Sequence, residues 1–393
     1  MATRHDVRAA AVAQVMRAHA EEGPAPGAVW GIASGPRHGR RVTVAAAGGL
    51  AEDALVRVAS LTKPATSALV LALTEDEVLS LEDPLSRWVP AWRDRAVLRE
   101  RHGGLDDTVP AARELTVRDL LLMGLGLGYD LDAAADEPLT AASQDGGILS
   151  GWTGPAIAPE EWSEQVAGLP MAHQPGQGWL YQSSFDALTV IVEAATGRGF
   201  DDILRDRLLA PLGMTETGYT VPAAALHRVP AFAWVGEDGT SSELAPAAAP
   251  ALTRRPVFCS GAAGLVSTAA DLLRLGQMLL DEGLAPPEKQ HGADAGARLL
   301  GADSVRAMRT DSLTDATRPW AEGFLETGWA WGLGVGIDDQ GGFGWDGGTG
   351  TSLWVYPERD VTAVLLTWRG MGSSDRPAYM ADFWDAVLAE PWG

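Results

Sequence analysis

A serine and a lysine three residues apart stand at the start of a strongly apolar stretch of the sequence. The segment Ser60-Leu61-Thr62-Lys63 follows a short apolar run at 55–58 and precedes a longer one at 68–73, an order that predicts a strand end, a tight turn and a buried helix. In such a helix the two side chains lie on one side, one turn apart, so the amine can accept the proton of the hydroxyl. The amide of Ser60 would then face outward at the positive end of the helix, as half of an oxyanion hole.

The choice of lysine at position 63 also indicates proton transfer. Lys63 and Lys289 are the only lysines in the sequence, and the rest of the 30 Lys+Arg residues are arginine. Arginine keeps its proton near neutral pH, whereas the pKa of lysine falls readily on burial. On the tetrapeptide alone, a serine helix cap followed by a solvated lysine is the more common arrangement, so other segments must decide between the two interpretations.

Two further segments contain residues that could join this chemistry. Tyr181-Gln182-Ser183 precedes a predicted helix, and the glycine-rich run Gly344-Trp345-Asp346-Gly347-Gly348-Thr349-Gly350-Thr351 leads into a predicted strand. Taken singly, the first is typical of a core or surface tyrosine and the second of a turn. His173 lies just upstream of the tyrosine, but no acid is placed beside it by the sequence, so we expect a loop histidine and not a member of a triad.

In this order, the three segments resemble the serine β-lactamase and penicillin-binding-protein superfamily, in particular the class C β-lactamases and the family VIII carboxylesterases. The resemblance covers roughly residues 25–390. It implies an α/β (α+β) fold, with an antiparallel sheet flanked by helices and a second, all-helical lobe. The likeness to the esterases is carried by Val56-Arg57-Val58-Ala59-Ser60-Leu61-Thr62-Lys63-Pro64, Asp83-Pro84-Leu85-Ser86-Arg87-Trp88-Val89-Pro90, Gly178-Trp179-Leu180-Tyr181, Pro211-Leu212-Gly213-Met214 and Gly261-Ala262-Ala263-Gly264-Leu265-Val266-Ser267.

The resemblance also implies a role for each of the matching residues. Ser60 resembles the acylated nucleophile and Lys63 its proton partner. Tyr181 resembles the tyrosine of the family's Y-x-N motif, which acts as a general base and returns protons to the leaving group. The backbone amide of Gly348 would be the second oxyanion donor, opposite that of Ser60. Whether lysine or tyrosine is the acylation base stays open at this point, because two coupled groups share the proton.

Departures from the family pattern point to the substrate. Trp345 occupies the place of the lysine in the lactamase K-T-G motif, and that lysine supplies a cation to the substrate carboxylate. Ser183 replaces the asparagine of the second motif, whose amide can reach an acylamino side chain. With Gly347, these two residues are expected to contact the substrate. Because ester hydrolysis needs neither the cation nor the amide, we expect a serine hydrolase that cleaves neutral carboxylic esters through an acyl-enzyme.

Other functions remain as alternatives. A β-lactamase, D-peptidase or amidase would use the same serine, although the lysine at position 345 is missing. An acyltransferase of secondary metabolism would pass the acyl group to an alcohol or amine and keep water out. A binding or sensor module would retain the fold without turnover. The sequence contains no G-x-S-x-G elbow, so a conventional α/β-hydrolase site does not compete.

The composition of the chain restricts its possible binding partners and its cellular compartment. The formal net charge of −22 argues against nucleic acid and anionic membrane surfaces as partners. The partner that the resemblance implies is the small-molecule ester substrate. Cys259, the single cysteine, excludes an intrachain disulfide and is expected to be an inert core residue. No metal or other cofactor is expected. The first 20 residues lack an apolar h-region and no run is long enough to span a membrane, so we predict a cytoplasmic protein.

Strand signals at both ends of the chain enclose a helical middle. A helix is predicted at about 5–22, a strand pair at 27–34 and 41–47, and a hairpin at 352–356 and 361–368. Residues 80–257 alternate between helical patterns and loops rich in glycine, proline and alanine. We therefore predict an α/β lobe from residues 1–80 and 258–393 and a helical lobe from residues 81–257, with the site in the cleft between them.

Overall fold

The computed structural model describes residues 3–22, 27–235, 241–244, 251–287 and 296–392. Within these ranges, β-strands concentrate near the two ends of the chain and most of the short helices lie between them. The helices are α1 Arg4–Glu22, α2 Thr62–Glu75, α3 Val117–Leu121, α4 Pro138–Asp145, α5 Pro159–Gly168, α6 Ser183–Thr196, α7 Phe200–Leu204, α8 Ala210–Leu212, α9 Ala269–Leu280, α10 Ala302–Met308, α11 Arg318–Ala321 and α12 Ala378–Leu388. The strands are β1 Ala28–Ser34, β2 Arg41–Ala47, β3 Val56–Arg57, β4 Ala96–Leu98, β5 Thr108–Pro110, β6 Phe232–Val235, β7 Ser241–Leu244, β8 Val266–Ser267, β9 Ala330–Trp331, β10 Gly336–Ile337, β11 Phe343–Gly347, β12 Thr351–Tyr356, β13 Val361–Thr367 and β14 Arg369–Gly370.

The main sheet of the described chain joins the two ends of the sequence. Its seven strands run in the order β2-β1-β13-β12-β11-β10-β9, and every neighbouring pair is antiparallel. Strands β1, β12 and β13 are buried along their whole length; helix α9 packs against all three, α1 contacts β1, and α12 contacts β13. The antiparallel sheet with flanking helices confirms the fold that the sequence predicts.

Helix α2 is buried on nearly every side, from Thr62 to Leu73. A helix that is apolar all round belongs inside a large core, and α2 contacts both the main sheet at β11 and the helical segment at α6. It starts directly after the short 3₁₀ turn Ala59–Leu61, which follows β3. The predicted strand–turn–helix around Ser60 is therefore present, and it places the serine where sheet and helices meet.

Two segments differ from their predicted structure. The alanine- and proline-rich sequence of residues 222–256 predicts an irregular segment, whereas its described residues contain a 3₁₀ helix at Ala223–Arg228 and the strands β6 and β7, and β6 pairs with β14. The sequence from Trp329 to Ile337 predicts one strand interrupted by glycines, but the structure has a hairpin of β9 and β10 there. Its turn contains Gly334 in the left-handed region, with φ of +86°, so the glycines reverse the chain where we expected only an interruption.

Side-chain caps explain two helix starts that the sequence predicts, one at Thr116 and one at Ser267 or Thr268. Thr116 accepts a hydrogen bond from the amide of Asp119, whose carboxylate in turn accepts one from the Thr116 amide, a complete capping box at α3. Thr268 caps α9 in the same way through the amide of Asp271. Among the described residues, no helix has both the length and the apolar character needed to cross a membrane. The division into lobes at residues 81 and 257 stays a prediction.

Gly276 allows α9 to lie flat on the sheet. A Cβ atom at this position would stand 2.3 Å from the hydroxyl oxygen of Thr362 on β13. That hydroxyl cannot simply rotate away without a cost, because it donates a hydrogen bond of 2.9 Å to the carbonyl of Trp354. The close approach of helix and sheet thus depends on the missing side chain.

We predict that Gly276→Ala destabilises the protein by about 1–3 kcal/mol, the usual cost of overpacking a core. Helix propensity alone would favour alanine by about 1 kcal/mol. The sign of the change in the free energy of unfolding therefore shows whether overpacking or helix propensity dominates. Gly168→Ala is the matched control, because the Cβ of an alanine at this position in α5 would meet no atom within 4 Å. Urea denaturation measures both variants, and equal or increased stability of Gly276→Ala would refute the packing argument.

Candidate active site

Ser60 lies at a strained turn between a strand and a helix. Ala59, directly before it, has φ of +45° although it is not a glycine, a conformation that costs about 1–3 kcal/mol and is typical of functional sites. The hydroxyl of Thr62 donates a 2.8 Å hydrogen bond to the carbonyl of Ala59 and stabilises this turn. The result places the Ser60 side chain at the floor of a cavity that opens to the surface.

Lys63 is fully buried and directs its amine at the serine. Its Nζ lies 2.9 Å from Ser60 Oγ, 2.6 Å from Gln182 Oε1 and 2.9 Å from the carbonyl oxygen of Ala262. These partners come from the turn before α2, the start of α6 and the loop before β8. Three acceptors match the three protons of an ammonium group, and a neutral amine could instead accept the proton of Ser60.

The pKa of Lys63 falls to about 7, chiefly because burial removes the hydration of its ammonium form. The carboxylate of Asp186 opposes this change and raises the pKa. Near neutral pH a substantial fraction of the amine is therefore uncharged. An uncharged amine within hydrogen-bond distance of a hydroxyl can act as a general base toward it.

Asp186 reaches Lys63 through a chain of buried polar groups. It accepts hydrogen bonds from Ser150 Oγ at 2.9 Å and from Ser260 Oγ at 2.5 Å. Ser150 Oγ lies 3.5 Å from the amide nitrogen of Gln182, whose oxygen contacts Lys63. Burial raises the pKa of Asp186 to about 6, against the effect of the two serine hydroxyls and of Lys63. The carboxylate is therefore ionised at neutral pH, and its charge favours the protonated form of the lysine.

Tyr181 approaches the same point from the opposite side of the cavity. Its hydroxyl accepts a 2.6 Å hydrogen bond from the indole nitrogen of Trp345, and Lys63 Nζ lies 4.4 Å from the centre of its ring. Burial raises the pKa of Tyr181 well above its ordinary value, and hydrogen bonds with Ser60 and Trp345 only partly oppose that rise. Tyr181 is therefore a neutral phenol at neutral pH, able to donate a proton.

Strand β11 passes directly beside the serine turn because it ends in glycine. A Cβ at Gly347 would lie 2.5 Å from the carbonyl oxygen of Val58 and 3.4 Å from the amide nitrogen of Ser60. Gly348 follows and lines the cavity together with Ser60, with no atom within 4 Å of where its Cβ would be. The backbone at Gly348 thus borders open space next to Ser60.

Asp346 holds β11 in place from behind. Its carboxylate accepts hydrogen bonds from Arg376 Nε at 2.7 Å and from the indole of Trp354 at 2.9 Å, and also from Ser352 Oγ. The Arg376 guanidinium lies 4.7 Å from the ring centre of Trp329. These contacts position the strand that carries Trp345 and Gly347, but they add no free cation to the cavity, because the guanidinium already pairs with Asp346.

The cavity above Ser60 has a volume of about 430 Å³ and mainly apolar walls. Phe324 stacks on Tyr181, with 4.5 Å between the ring centres. Among the described residues that line the cavity there is no lysine or arginine, while two carboxylates, Glu326 and Asp346, are present. The aromatic lining residues are Tyr129, Trp152, Tyr181, Phe324, Trp329 and Trp345.

Most of the predicted site residues meet at this cavity, but Ser183 does not. Ser60, Tyr181, Trp345, Gly347 and Gly348 line it, and Lys63 lies beneath its floor. The prediction that Ser183 contacts the substrate is wrong, because its side chain is fully buried and its hydroxyl donates to the carbonyl of Ile148.

Gln182 is the residue that sequence reasoning missed at this point. Ser183 was predicted because it stands at the position of the asparagine in the family's Y-x-N motif. The backbone of Gln182 has φ of +88°, and its side-chain amide oxygen lies 2.6 Å from Lys63 Nζ. The only sign of this role in the sequence was that Gln182, between Tyr181 and Ser183, is polar. Asp186 was missed as well, since nothing local marks an acid on an apolar helix as a partner of a distant lysine.

His173 lies apart from the catalytic groups. It is buried in a loop, its Nδ1 lies 3.0 Å from the carbonyl oxygen of Gln174, and its ring packs edge-on against Trp320. It is not among the residues that line the cavity above Ser60. Burial lowers its pKa to about 4, so this histidine is neutral at neutral pH. The structure places no triad at this histidine.

Comparison with known proteins assigns the family. The family model described as Beta-lactamase matches residues 12–383. An uncharacterized protein of Mycobacterium tuberculosis is 33% identical over 331 residues, which cover 80% of this chain and 77% of that protein. The esterase EstB of Burkholderia gladioli is 30% identical, with 64% of each chain covered. The solved structure of EstCE1, described as a hydrolase with promiscuous acyltransferase activity, aligns over 97% of this chain and 98% of that one with a TM-score of 0.75 and 23% identity.

The chain therefore belongs to the β-lactamase family, and its fold is that of the β-lactamases and transpeptidases. Because the family includes esterases of recognisable sequence similarity, the protein is a serine hydrolase. The resemblance to family VIII carboxylesterases, drawn above from separate sequence segments, agrees with these relatives.

We predict that Asp186→Asn shifts the reactivity of Ser60 to lower pH. The carboxylate raises the pKa of Lys63, so its loss leaves more neutral amine below pH 7. The measurement is the rate of Ser60 labelling by a fluorophosphonate between pH 5 and 9, which should rise with pH through about 7 in the native protein and through a lower midpoint in the variant.

Asp271→Asn serves as the matched control for this experiment. Asp271 is another buried carboxyl group with a raised pKa, but it is not among the groups that shift the pKa of Lys63. Its variant should keep the native midpoint. An identical midpoint in the native protein and Asp186→Asn would show that the carboxylate does not act on the lysine.

Proposed function

We propose that the protein hydrolyses neutral carboxylic esters through an acyl-enzyme on Ser60. The observation that carries this proposal is the cavity above the serine, which is walled by aromatic rings and lined by no cation among its described residues. An apolar wall stabilises an uncharged acyl or alcohol group. An anionic group bound inside the same cavity would find no cation free to pair with it among the described lining residues, because Arg376 already pairs with Asp346.

Acylation begins with proton transfer from Ser60 to neutral Lys63. As Ser60 Oγ attacks the ester carbonyl, the Lys63 amine, 2.9 Å away, accepts the hydroxyl proton. The assignment of Lys63 as the base is supported by the opposite pKa changes of the two candidates: burial lowers the pKa of Lys63 to about 7 and raises that of Tyr181. The oxyanion is held by the amides of Ser60 and Gly348, and one such donor typically contributes about 10²–10³ in rate.

Tyr181 completes the reaction by protonating the leaving group. Its phenol gives its proton to the departing alkoxide and regains one from the protonated Lys63, so the alcohol leaves neutral and the acyl-enzyme remains. In deacylation a water molecule loses a proton to this pair and attacks the acyl carbon, and Ser60 regains its hydrogen. The indole N–H of Trp345 stabilises negative charge on the tyrosine oxygen during these transfers.

The same contact argues against a β-lactam as the main substrate. In the third motif, Trp345 contributes an indole N–H that is already donated to Tyr181. A lysine at the same position would instead offer a positive charge to the carboxylate of a β-lactam.

Acyl transfer to an alcohol is a second outcome of the same acyl-enzyme, and the described activity of EstCE1 makes it worth testing with an added alcohol. The cytoplasmic location expected from the sequence is part of the same proposal.

We predict that the native protein hydrolyses p-nitrophenyl acetate and butyrate, and that Ser60→Ala lowers kcat by at least about 10³-fold, as expected on loss of a nucleophile. Nitrocefin turnover should be far slower than ester turnover. Mass spectrometry of the quenched reaction should find the acyl group on Ser60. Equal ester turnover by the native protein and Ser60→Ala would contradict the proposal, and preferential nitrocefin turnover would favour a β-lactamase.

We also predict that Trp345→Phe lowers kcat for these esters by about 5–10-fold, the rate equivalent of one lost hydrogen bond of about 1–1.5 kcal/mol. The substitution keeps an aromatic wall but removes the donor to Tyr181. Trp329→Phe is the matched control, because Trp329 lines the same cavity without a hydrogen bond from its indole to a catalytic group. Similar kcat values for the two variants would show that the indole N–H plays no part in proton transfer.

A further inference from the structure

A second, smaller cavity lies on the other side of one wall of the first. It has a volume of about 290 Å³, and Trp152 lines both cavities. Its other walls include the apolar side chains of Leu252 and Pro256 and the guanidinium-bearing residues Arg57 and Arg254. Arg57 belongs to β3, three residues before Ser60 in the chain. A long substrate bound at Ser60 and extending past Trp152 would therefore pass from a cavity without lysine or arginine in its described lining into one that contains arginines.

The second cavity is cationic in a strongly acidic protein. Its described lining residues include three arginines and no carboxylate, although the whole chain has a formal net charge of −22. Arg255 is neutralised by Asp201, with 2.6 Å between Nη2 and Oδ1. Arg57 and Arg254 form no ion pair with any described residue. Two arginines at one cavity therefore have no carboxylate partner among the described residues.

Arg57 is the more informative of the two because it is half-buried. Its guanidinium lies 5.9 Å from the ring centre of Trp152, and burial, with no nearby carboxylate to oppose it, lowers its pKa. A partly desolvated cation without a counter-ion is unfavourable, and an oxyanion would relieve that cost. The planar donors of a guanidinium match carboxylate and phosphate geometry, often in pairs of parallel hydrogen bonds.

We propose that Arg57 and Arg254 bind an oxyanion, carboxylate or phosphate, at the far end of the ester substrate. The scissile ester then lies in the cation-free cavity at Ser60 while the remote end passes Trp152 and pairs with the two arginines. This inference rests on the proposed ester hydrolysis and narrows its substrate class to esters that are neutral at the reacting bond and anionic at a distance from it.

The test compares esters that differ only at the remote end. One series carries the terminal group on the acyl chain of a p-nitrophenyl ester, and a second carries it on the alcohol of an acetate ester; in each, the chain ends in a carboxamide, a carboxylate or a phosphate. The readout is kcat/KM of each anionic ester divided by that of the carboxamide ester, over several chain lengths. The ratio is measured for the native protein, Arg57→Gln, Arg254→Gln and Arg93→Gln.

Arg93→Gln is the matched control because Arg93 is exposed, has no ion pair with a described residue and lines none of the cavities described above. We expect the ratio to fall about tenfold in each of the other two variants for at least one series, to stay unchanged in Arg93→Gln, and to fall with added salt in the native protein. The larger loss, for carboxylate or for phosphate esters, identifies the group that the site prefers.

The same data separate failure of this inference from failure of the proposed function. If carboxamide esters are hydrolysed but the ratio is the same in all four proteins, the anion site is refuted and ester hydrolysis stands. If the native protein hydrolyses no ester of either series, the proposed function falls and the inference falls with it. Arg254 is exposed, so its variant decides the matter even if Arg57→Gln does not fold.

Discussion

An ammonium group loses much of its hydration when it is buried, and at Lys63 this loss governs the chemistry of the site. The side chain is enclosed by α2, the start of α6 and the loop before β8, and the hydrogen-bond partners of its amine among the described residues are Ser60, Gln182 and the carbonyl of Ala262. The cost of charging the amine there makes it a base at neutral pH. The carboxylate of Asp186 opposes this effect and raises the pKa of the amine.

The enclosure depends on close backbone contacts at positions where side chains are missing. Gly347 lets β11 run beside the serine turn, and Gly276 lets α9 lie against the sheet behind it. Asp346 and Arg376 then hold β11 so that Trp345 reaches Tyr181. The phenol and the amine are thus brought to one hydroxyl by elements that are distant in the sequence. Their pKa values are moved in opposite directions by the same burial, which assigns them different roles as acid and base.

The fold was largely predictable from local patterns, because those patterns act within a few residues. The capping box of Thr116 and Asp119 and the apolar helix after Ser60 depend on neighbours in the chain, and both are present. Segments that reverse at glycines, such as β9 and β10, were less predictable, since a glycine can either interrupt a strand or turn it. Resemblance to a family supplied what local patterns lack, namely which distant segments meet.

At the site, sequence reasoning identified the groups that react, but not the residues that position those groups or shift their pKa values. Gln182 contacts Lys63 only because its own backbone is left-handed, and Asp186 acts through two intervening side chains. Arg57 is unpaired because no described carboxylate lies close enough to form an ion pair with it, and no local sequence pattern predicts that. Such residues are determined by packing between segments more than a hundred positions apart, so they become visible only in three dimensions.

The most direct test of the central claim is the titration of Lys63 itself. The chain has only two lysines, so protein labelled with ¹³C at the lysine ε-carbon should give two NMR resonances, and the one absent from Lys63→Arg belongs to Lys63. We predict that this resonance titrates with a midpoint near pH 7, as its burial requires. A midpoint near 10.4, the ordinary value for lysine, would show that the amine stays charged at neutral pH and would contradict its role as the base.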